Sequence, residues 1–339
     1  MSEKNPLPVA KGRAPALLSL VVASLVALPL LLPSATLATE ILIFAMAALA
    51  CNLLLGYTGL LSFGHAAFFG GAAYVAGYAV KAWGMTPEVG LLFGTASGGL
   101  LGLLFGWLAI RRQGIYFSMI TLALAQMLFF ACLQAPFTGG EDGLQGVPRG
   151  KLLGLIDLQS DLAMYYVTLA IVVAAFCLIV RTIHSPFGQV LKGIKENEPR
   201  AISLGYDTNR FKLLAFVLSA ALAGLAGSLK TLVLGFATLS DAHWTASGHV
   251  VLMTLVGGLG TLSGPIVGSA VVVLLENKLG EIGSFLASVT GVEWFNTLGE
   301  SVTMVTGLIF VICVLAFRRG IMGEIIEWLA RRRAANASA

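Results

Sequence analysis

The sequence predicts an all-α, polytopic membrane helical bundle of about ten transmembrane helices, some of them short or broken. Three observations predict it. Hydrophobic residues make up 57% of the 339 and charged residues 11%, against about 25% charged in soluble domains, and mean hydropathy is +0.89. A soluble chain of this size could not hide so much apolar surface. Several apolar runs reach the roughly 20 residues that a helix rising ~1.5 Å per residue needs to cross ~30 Å of hydrocarbon. Glycine is abundant, with 40 residues, as expected where helices must approach closely because lipid supplies no hydrophobic push between them.

Residues 1–15 are polar and carry Lys4, Lys11 and Arg13, an N-terminal tail. Ala16 to Leu37 is the first apolar run. Thr36-Leu37-Ala38 is a passable cleavage site, but the run is long for a signal peptide and contains Pro29 and Pro33, which favours a retained first span. Ile41 to Leu55 is short. Gly56 to Tyr78 is interrupted by six glycines, and Val89–Ile110, Ile115–Leu133, Leu162–Val180 and Phe211–Phe236 follow. His249–Leu259 and Pro265–Leu275 are again short, Ser301–Phe317 closes the series, and residues 321–339 form a C-terminal tail. The transmembrane domain thus occupies residues 16–320. The Gly-rich segments 56–80 and 248–275 hold similar places in the two halves. Short or interrupted spans in corresponding positions point to a midplane pathway in repeat-built transporters.

Orientation follows from Lys and Arg, which concentrate in cytoplasmic segments. With both termini in the cytoplasm, sixteen of the 21 basic residues fall inside, including Arg111, Arg112 and the six of loop 181–212. The outer loops keep Lys81, Arg149, Lys151 and Lys278 beside eight acidic residues. The chain is expected to be a multi-pass membrane protein with its N- and C-termini in the cytoplasm.

Loop 181–212 is the longest polar segment with the marks of folded structure. Within Phe187–Lys195, Val190, Leu191 and Ile194 share one helical face. Asn197 is a candidate N-cap, Pro199 suits the first turn, and Gly205 suits a left-handed C′ position. Glu198–Leu204 therefore reads as a helix too short to cross a bilayer: a solvated connector, or a knob for a cytoplasmic partner.

No enzyme constellation is present. His65, His184, His243 and His249 are scattered without a carboxylate at ligand spacing, and Cys51, Cys132, Cys177 and Cys313 sit in apolar runs as small core residues. Gly224–Thr231 (GLAGSLKT) resembles a phosphate loop but has Leu229 where Gly must precede the Lys, so no nucleotide site of its own is expected. In Gly56–Tyr78 and just before it, Asn52, Ser62 and His65, with Phe68 beside them, have two readings. One is a broken helix lining a solute path; the other is a small-residue packing seam with His65 hydrogen-bonded inside it. Lys230, Glu276 and Glu300 lie near span ends, where snorkelling accounts for them. Thr138–Gly150 is turn-rich and reads as a connector.

Four segments, taken in order, carry a family likeness: GYTGLLSFGHAAFFGGAAY, TGGEDGL, GQVLKGIKENEPRAISLGYDTNRFKLLAFVLSAALAGLAGSL and LVGGLGTLSGPIVGS. Over about residues 40–320 the chain resembles the LivM-type permeases of branched-chain amino acid ABC importers. The resemblance implies a permease of about ten helices, with no cofactor of its own. Its implied partners are a homologous LivH-type permease, two cytoplasmic ATPase subunits that bind the ATP, and a periplasmic solute-binding protein. It also implies that Lys195, Glu196, Asn197, Glu198, Ala201, Leu204 and Gly205 form a coupling helix seated on an ATPase. Relatives of this kind carry branched-chain or other amino acids, urea, small amides or aromatic acids. A self-sufficient secondary transporter is the remaining alternative, and it would need buried ionisable groups, of which the sequence offers His65 and little else.

Overall fold

The computed structural model describes residues 34–154 and 156–290, with 29, 305, 307, 308, 311, 320–325, 327 and 328 beyond them. The N-terminal tail, nearly all of the Ala16–Leu37 run, Glu300, Cys313, and most of the Ser301–Phe317 run and of the C-terminal tail lie outside the described residues.

Ten α-helices are described: α1 Ala35–Thr58, α2 His65–Lys81, α3 Pro87–Ala109, α4 Ile115–Gln134, α5 Asp161–His184, α6 Pro186–Glu196, α7 Glu198–Ser203, α8 Thr208–Leu234, α9 Trp244–Gly257 and α10 Gly264–Thr290. Short 3-10 turns at 136–142 and Leu239–Ala242 link them, and a two-residue hairpin pairs Lys151–Leu152 with Ile156–Asp157 in the loop before α5. An all-α membrane bundle fits this inventory. Five helices, α1, α3, α4, α5 and α8, are long and apolar enough to cross a membrane.

The core is built around α1. Its Ile41, Met46, Leu49 and Leu53 are at most 1% exposed, and α2, α5, α8, α9 and α10 all touch it. A helix apolar all round and buried all round is the centre of its bundle. By contrast α3, α4 and α5 display apolar side chains outward: Leu92, Leu100 and Trp107 on α3, Met119, Met127 and Phe130 on α4, Leu178 on α5. Such a surface is an aggregation hazard in water and a natural face in lipid. Where α3 crosses α8, Gly98 lies backbone to backbone with Gly224; a Cβ on Gly98 would sit 2.9 Å from both Ala220 O and Gly224 Cα. Small residues at such a crossing let dispersion and backbone contact replace the missing hydrophobic drive.

Three spans differ from their sequence-based lengths. The run read as Ile41–Leu55 is a 24-residue helix, about 36 Å long. Its first turns contain Thr39 and Glu40, which had shortened it on paper; Thr39 bonds back to Ala35 O at 2.8 Å. The run read as Pro265–Leu275 continues through Glu276, Asn277 and Lys278 to residue 290, because those polar groups find partners within the bundle. The third, α9, remains short at 14 residues, about 21 Å. The Gly-rich stretch breaks at residues 59–64, between α1 and α2.

Candidate functional site

Two places concentrate polar chemistry, at opposite ends of α8. At its N-terminal end lies the stub formed by α6 and α7. Leu191 and Ile194 of α6 are 0% and 3% exposed, as the apolar period predicted, and Phe187 stacks on Phe211 at 5.6 Å. Asn197 caps α7: its Oδ1 accepts the Arg200 N–H at 3.0 Å. The C-terminus closes with Gly205 in the left-handed region, φ +87°. Gly205 N–H donates to Ile202 O at 2.9 Å and Tyr206 N–H to Ala201 O at 3.2 Å, the paired bonds of a Schellman closure.

The seven residues assigned to coupling divide into two sets. Lys195 turns back into its own chain: Nζ donates to Gly56 O at 2.6 Å. That carbonyl is in the last turn of α1, where acceptors lack helical partners and a cation is favoured. Glu198 likewise faces inward. Its Oε1 pairs with Lys212 Nζ at 2.5 Å and accepts from Thr208 Oγ1 at 3.1 Å, and its Oε2 accepts from Gln113 at 3.1 Å. Ala201 is 6% exposed. Glu196, Asn197, Leu204 and Gly205 are exposed, Lys195 is exposed as well despite its bond to Gly56 O, and Ile202 and Tyr206 join them. Lys195 and Glu198 fix the stub to α1 and α8.

The four residues assigned to a solute path are all buried, and each has close neighbours. Asn52 holds the loop before α10 through both ends of its amide: Nδ2 donates to Thr261 O at 2.8 Å and Oδ1 accepts Gly260 N–H at 2.9 Å. Ser62 Oγ accepts Gly64 N–H at 3.1 Å. His65 Nε2 lies 3.0 Å from Ser219 Oγ, which donates to Ala50 O at 2.6 Å, and Nδ1 lies 3.3 Å from Ser62 O. Phe68 packs between Phe105 and Phe216, each at 5.5 Å. The break ahead of α2 is thus sealed by side chains from α8 and α9, including Ser247 Oγ, which accepts Ala66 N–H at 2.8 Å and donates to Phe63 O at 2.7 Å. The two Gly-rich segments that echo each other in sequence touch where Gly56 meets Gly260: a Cβ on Gly56 would stand 2.8 Å from Gly260 N.

At the far end of α8 the snorkelling reading of Lys230 and Glu276 is corrected. Lys230 is 14% exposed and pairs with Asp241, 11% exposed, whose other oxygen accepts from Thr238 Oγ1 at 2.9 Å. Glu276 Oε1 lies 3.5 Å from His249 Nδ1. Glu40 lies within electrostatic reach of Lys230 and Asp241. Lys230 also sits 5.8 Å from the Phe44 ring and 5.9 Å from the Phe69 ring. A cavity of about 210 Å³ opens beside the cluster, among α1, α2 and α9. Sequence reasoning missed this convergence, although a Lys eighteen residues along α8 from Lys212 was its signal: ionisable groups within apolar spans mark functional sites by default.

Among the described residues no three His, Cys, Asp or Glu side chains come together to hold a metal. Gly224–Thr231 lies wholly within α8, with Ser228 Oγ donating to Gly224 O at 2.8 Å; a phosphate cradle needs a loop with free N–H groups there.

The fold and polar architecture define a polytopic helical membrane protein. Residues 34–315 match the family described as the permease component of branched-chain amino acid transport systems, and the chain belongs to that family. It is 27% identical over 280 residues to the high-affinity branched-chain amino acid transport system permease protein LivM of Salmonella typhimurium, covering 74% of this chain and 65% of the relative. It is 27% identical over 276 residues to LivM of Escherichia coli, covering 73% and 64%. The autoinducer 2 import system permease protein LsrC of Klebsiella pneumoniae is 28% identical over 195 residues, covering 54% and 53%. The matched region spans just under two-thirds of the length of the LivM relatives. No solved structure matches the chain.

Proposed function

We propose that this chain is the membrane permease subunit of an ATP-driven ABC importer for branched-chain or related amino acids, contributing half of a translocation pathway. In this reading a homologous LivH-type permease supplies the other half, two cytoplasmic ATPase subunits bind and hydrolyse ATP, and a periplasmic binding protein delivers solute. The chain crosses the inner membrane about ten times within residues 16–320, with tails 1–15 and 321–339 and loop 181–212 in the cytoplasm. Family membership and the LivM relatives support the solute class.

The observation that carries the coupling reading is the construction of the stub. α7 is about 9 Å long, closed at both ends, and tied to two core helices by Lys195 and by the Glu198–Lys212 pair, whose members are 17% and 3% exposed respectively. A knob so fixed transmits displacement instead of absorbing it. Glu196, Ile202, Leu204 and Tyr206 offer a mixed polar and apolar outer face for an ATPase groove. ATPase closure pushes the stub, and α1 and α8 tilt with it, alternating access between the two sides.

Leu204 is 69% exposed, so Leu204→Asp spares internal packing. In proteoliposomes containing the complete transporter, Leu204→Asp is expected to abolish ATP-driven uptake or detach the ATPases while the chain keeps its wild-type thermal midpoint. Uptake at the wild-type rate would sink the coupling reading.

A further inference from the structure

We infer that the elbow between α5 and α6 is a binding site for one anionic glycerophospholipid. Arg181 and His184 hold its phosphate, and an acyl chain lies on Phe176, Cys177 and Val180. The inference needs a membrane-spanning α5 and is independent of which solute the chain carries.

The elbow has a defined shape. The 24 residues of α5 end at His184, and α6 starts at Pro186. Gly188 lets the helices turn this closely, since a Cβ there would stand 2.4 Å from Ile183 O and 2.5 Å from Thr182 O. Ser185 fixes the corner: its Oγ donates to Thr182 O at 2.6 Å and accepts the Gly188 N–H at 3.4 Å. A groove of about 580 Å³ opens here, and its lining changes character along α5. Phe176, Cys177 and Val180 make an apolar floor; Arg181 and His184 make a basic lip nearer the helix end. The spacings are three and four residues, so these side chains share one helical face. At about 36 Å, α5 is long enough for the ~30 Å hydrocarbon layer, which sets its last turn at headgroup depth and the floor beneath it.

Charge selects the occupant. Residues 162–195 contain Arg181, His184, Lys192 and Lys195 and no Asp or Glu. The neighbouring cations are engaged: Lys192 lies 5.8 Å from the Tyr57 ring centre, Lys195 donates to Gly56 O, Arg210 pairs with Asp207 at 2.8 Å, and Lys212 pairs with Glu198. Arg181 is exposed and makes no ion pair or hydrogen bond among the described residues. A helix C-terminus favours cations, and His184 answers that demand through Nδ1, 2.8 Å from Val180 O, which leaves Nε2 for a ligand. Arg181 makes no such bond, and a guanidinium matches two phosphate oxygens at once. The missing carboxylate separates the headgroups. The ammonium of phosphatidylethanolamine meets no opposite charge here, whereas phosphatidylglycerol brings a net negative charge and only hydroxyls beyond it. Basic recesses beside membrane helices anchor anionic lipids in this way. Size separates lipid from free phosphate: at about 30 Å³ per liquid water, 580 Å³ is room for roughly nineteen waters, far more than a phosphate fills. A snorkelling arginine needs no such recess.

The test uses the full-length chain in a mild detergent, cleared of phospholipid. Cys177 is the reporter, because it is exposed and lines the groove. Its rate of alkylation by N-ethylmaleimide is read by peptide mass spectrometry as dioleoyl phosphatidylglycerol is added. Saturable slowing is expected, with phosphatidylethanolamine at least about tenfold weaker, the scale of one lost hydrogen bond to a charged group. Arg181→Gln/His184→Gln is expected to weaken phosphatidylglycerol by about tenfold or more on the same ground. Arg200→Gln, at an exposed position on α7, is expected to leave it unchanged. A gel-filtration profile checks that each variant is folded, and Arg181→Gln alone serves if the double variant is not. Equal protection by phosphatidylethanolamine would mean ordinary lipid contact and overturn the site. Equal protection by glycerol 1-phosphate would mean a site for free phosphate and overturn it too. So would unchanged protection in the Arg181 variants, no protection at all, or a Cys177 that is unreactive without lipid. Protection that requires ATPase subunits instead of lipid would assign the groove to a protein partner and equally refute the proposal.

Discussion

Asn52 shows how one side chain holds two distant segments together. It is 2% exposed in the middle of α1, and its amide serves Thr261 O and Gly260 N–H, more than 200 positions away in sequence. Removing it leaves a part-buried carbonyl and a part-buried N–H without this partner, each loss costing about 1 kcal/mol or more. Asn52→Ala is therefore expected to lower stability by roughly 2 kcal/mol or more, read as a lower thermal midpoint in detergent. Cys177→Ser, at an exposed position on α5, serves as the control and is expected to leave the midpoint in place. An unshifted midpoint for Asn52→Ala would mean that the 258–263 loop is not held as described. At this scale the sequence was informative about which residues are unusual and silent about what they touch. Asn52, Ser62 and His65 stood out as polar groups among apolar neighbours, but nothing local announces that His65 meets Ser219, 154 residues on. Lys195 and Glu198 were legible as charges in a loop; their partners Gly56 O and Lys212 required the tertiary packing.

Helix ends were the most legible elements. Asn197, Pro199 and Gly205 act through local rules, and the structure places all three in the positions those rules assign: an N-cap, a first turn and a left-handed C′ residue. Lengths were less legible wherever polar residues enter a span. Glu40 in α1 and Glu276, Asn277 and Lys278 in α10 truncated the apparent runs, yet the helices continue because Glu276 meets His249 and Asn277 Nδ2 donates to Val273 O at 3.0 Å. Two glycines make a test of element packing. Gly70→Ala would drive a methyl into the backbone at Ala242, with contacts at 2.5 and 2.6 Å. The expected cost is about 1–3 kcal/mol, the range for overpacking, with the 3-10 turn displaced and the Lys230–Asp241 pair opened. Gly193 in α6 has nothing within 4 Å of its added Cβ, so Gly193→Ala is expected to be neutral or to stabilise by about 0.5–1 kcal/mol through helix propensity. Thermal melts of the two variants check both signs, and a Gly70→Ala midpoint equal to wild type would refute the close packing.

At the scale of the whole molecule, α8 joins the two polar ends. Lys212, near its start, anchors the stub, and Lys230, about 27 Å further on, anchors the ion-pair cluster beside the cavity. One continuous helix with a buried charge pair at each end can act as a lever between the stub and the ion-pair cluster, which is what the proposed coupling requires. The bundle itself was legible from hydropathy and glycine content, because lipid restricts the chain to helices and composition reports that restriction directly. What drives the lever was not legible, because in the function proposed above the force comes from other subunits. The most direct measurement is uptake of L-leucine into proteoliposomes against its gradient. It compares this chain alone, with or without a sodium or proton gradient, and this chain with its partner permease, binding protein and two ATPases supplied with ATP. Uphill uptake confined to the complete, ATP-fed assembly is the expected result. Uphill uptake by the chain alone on an ion gradient would contradict it.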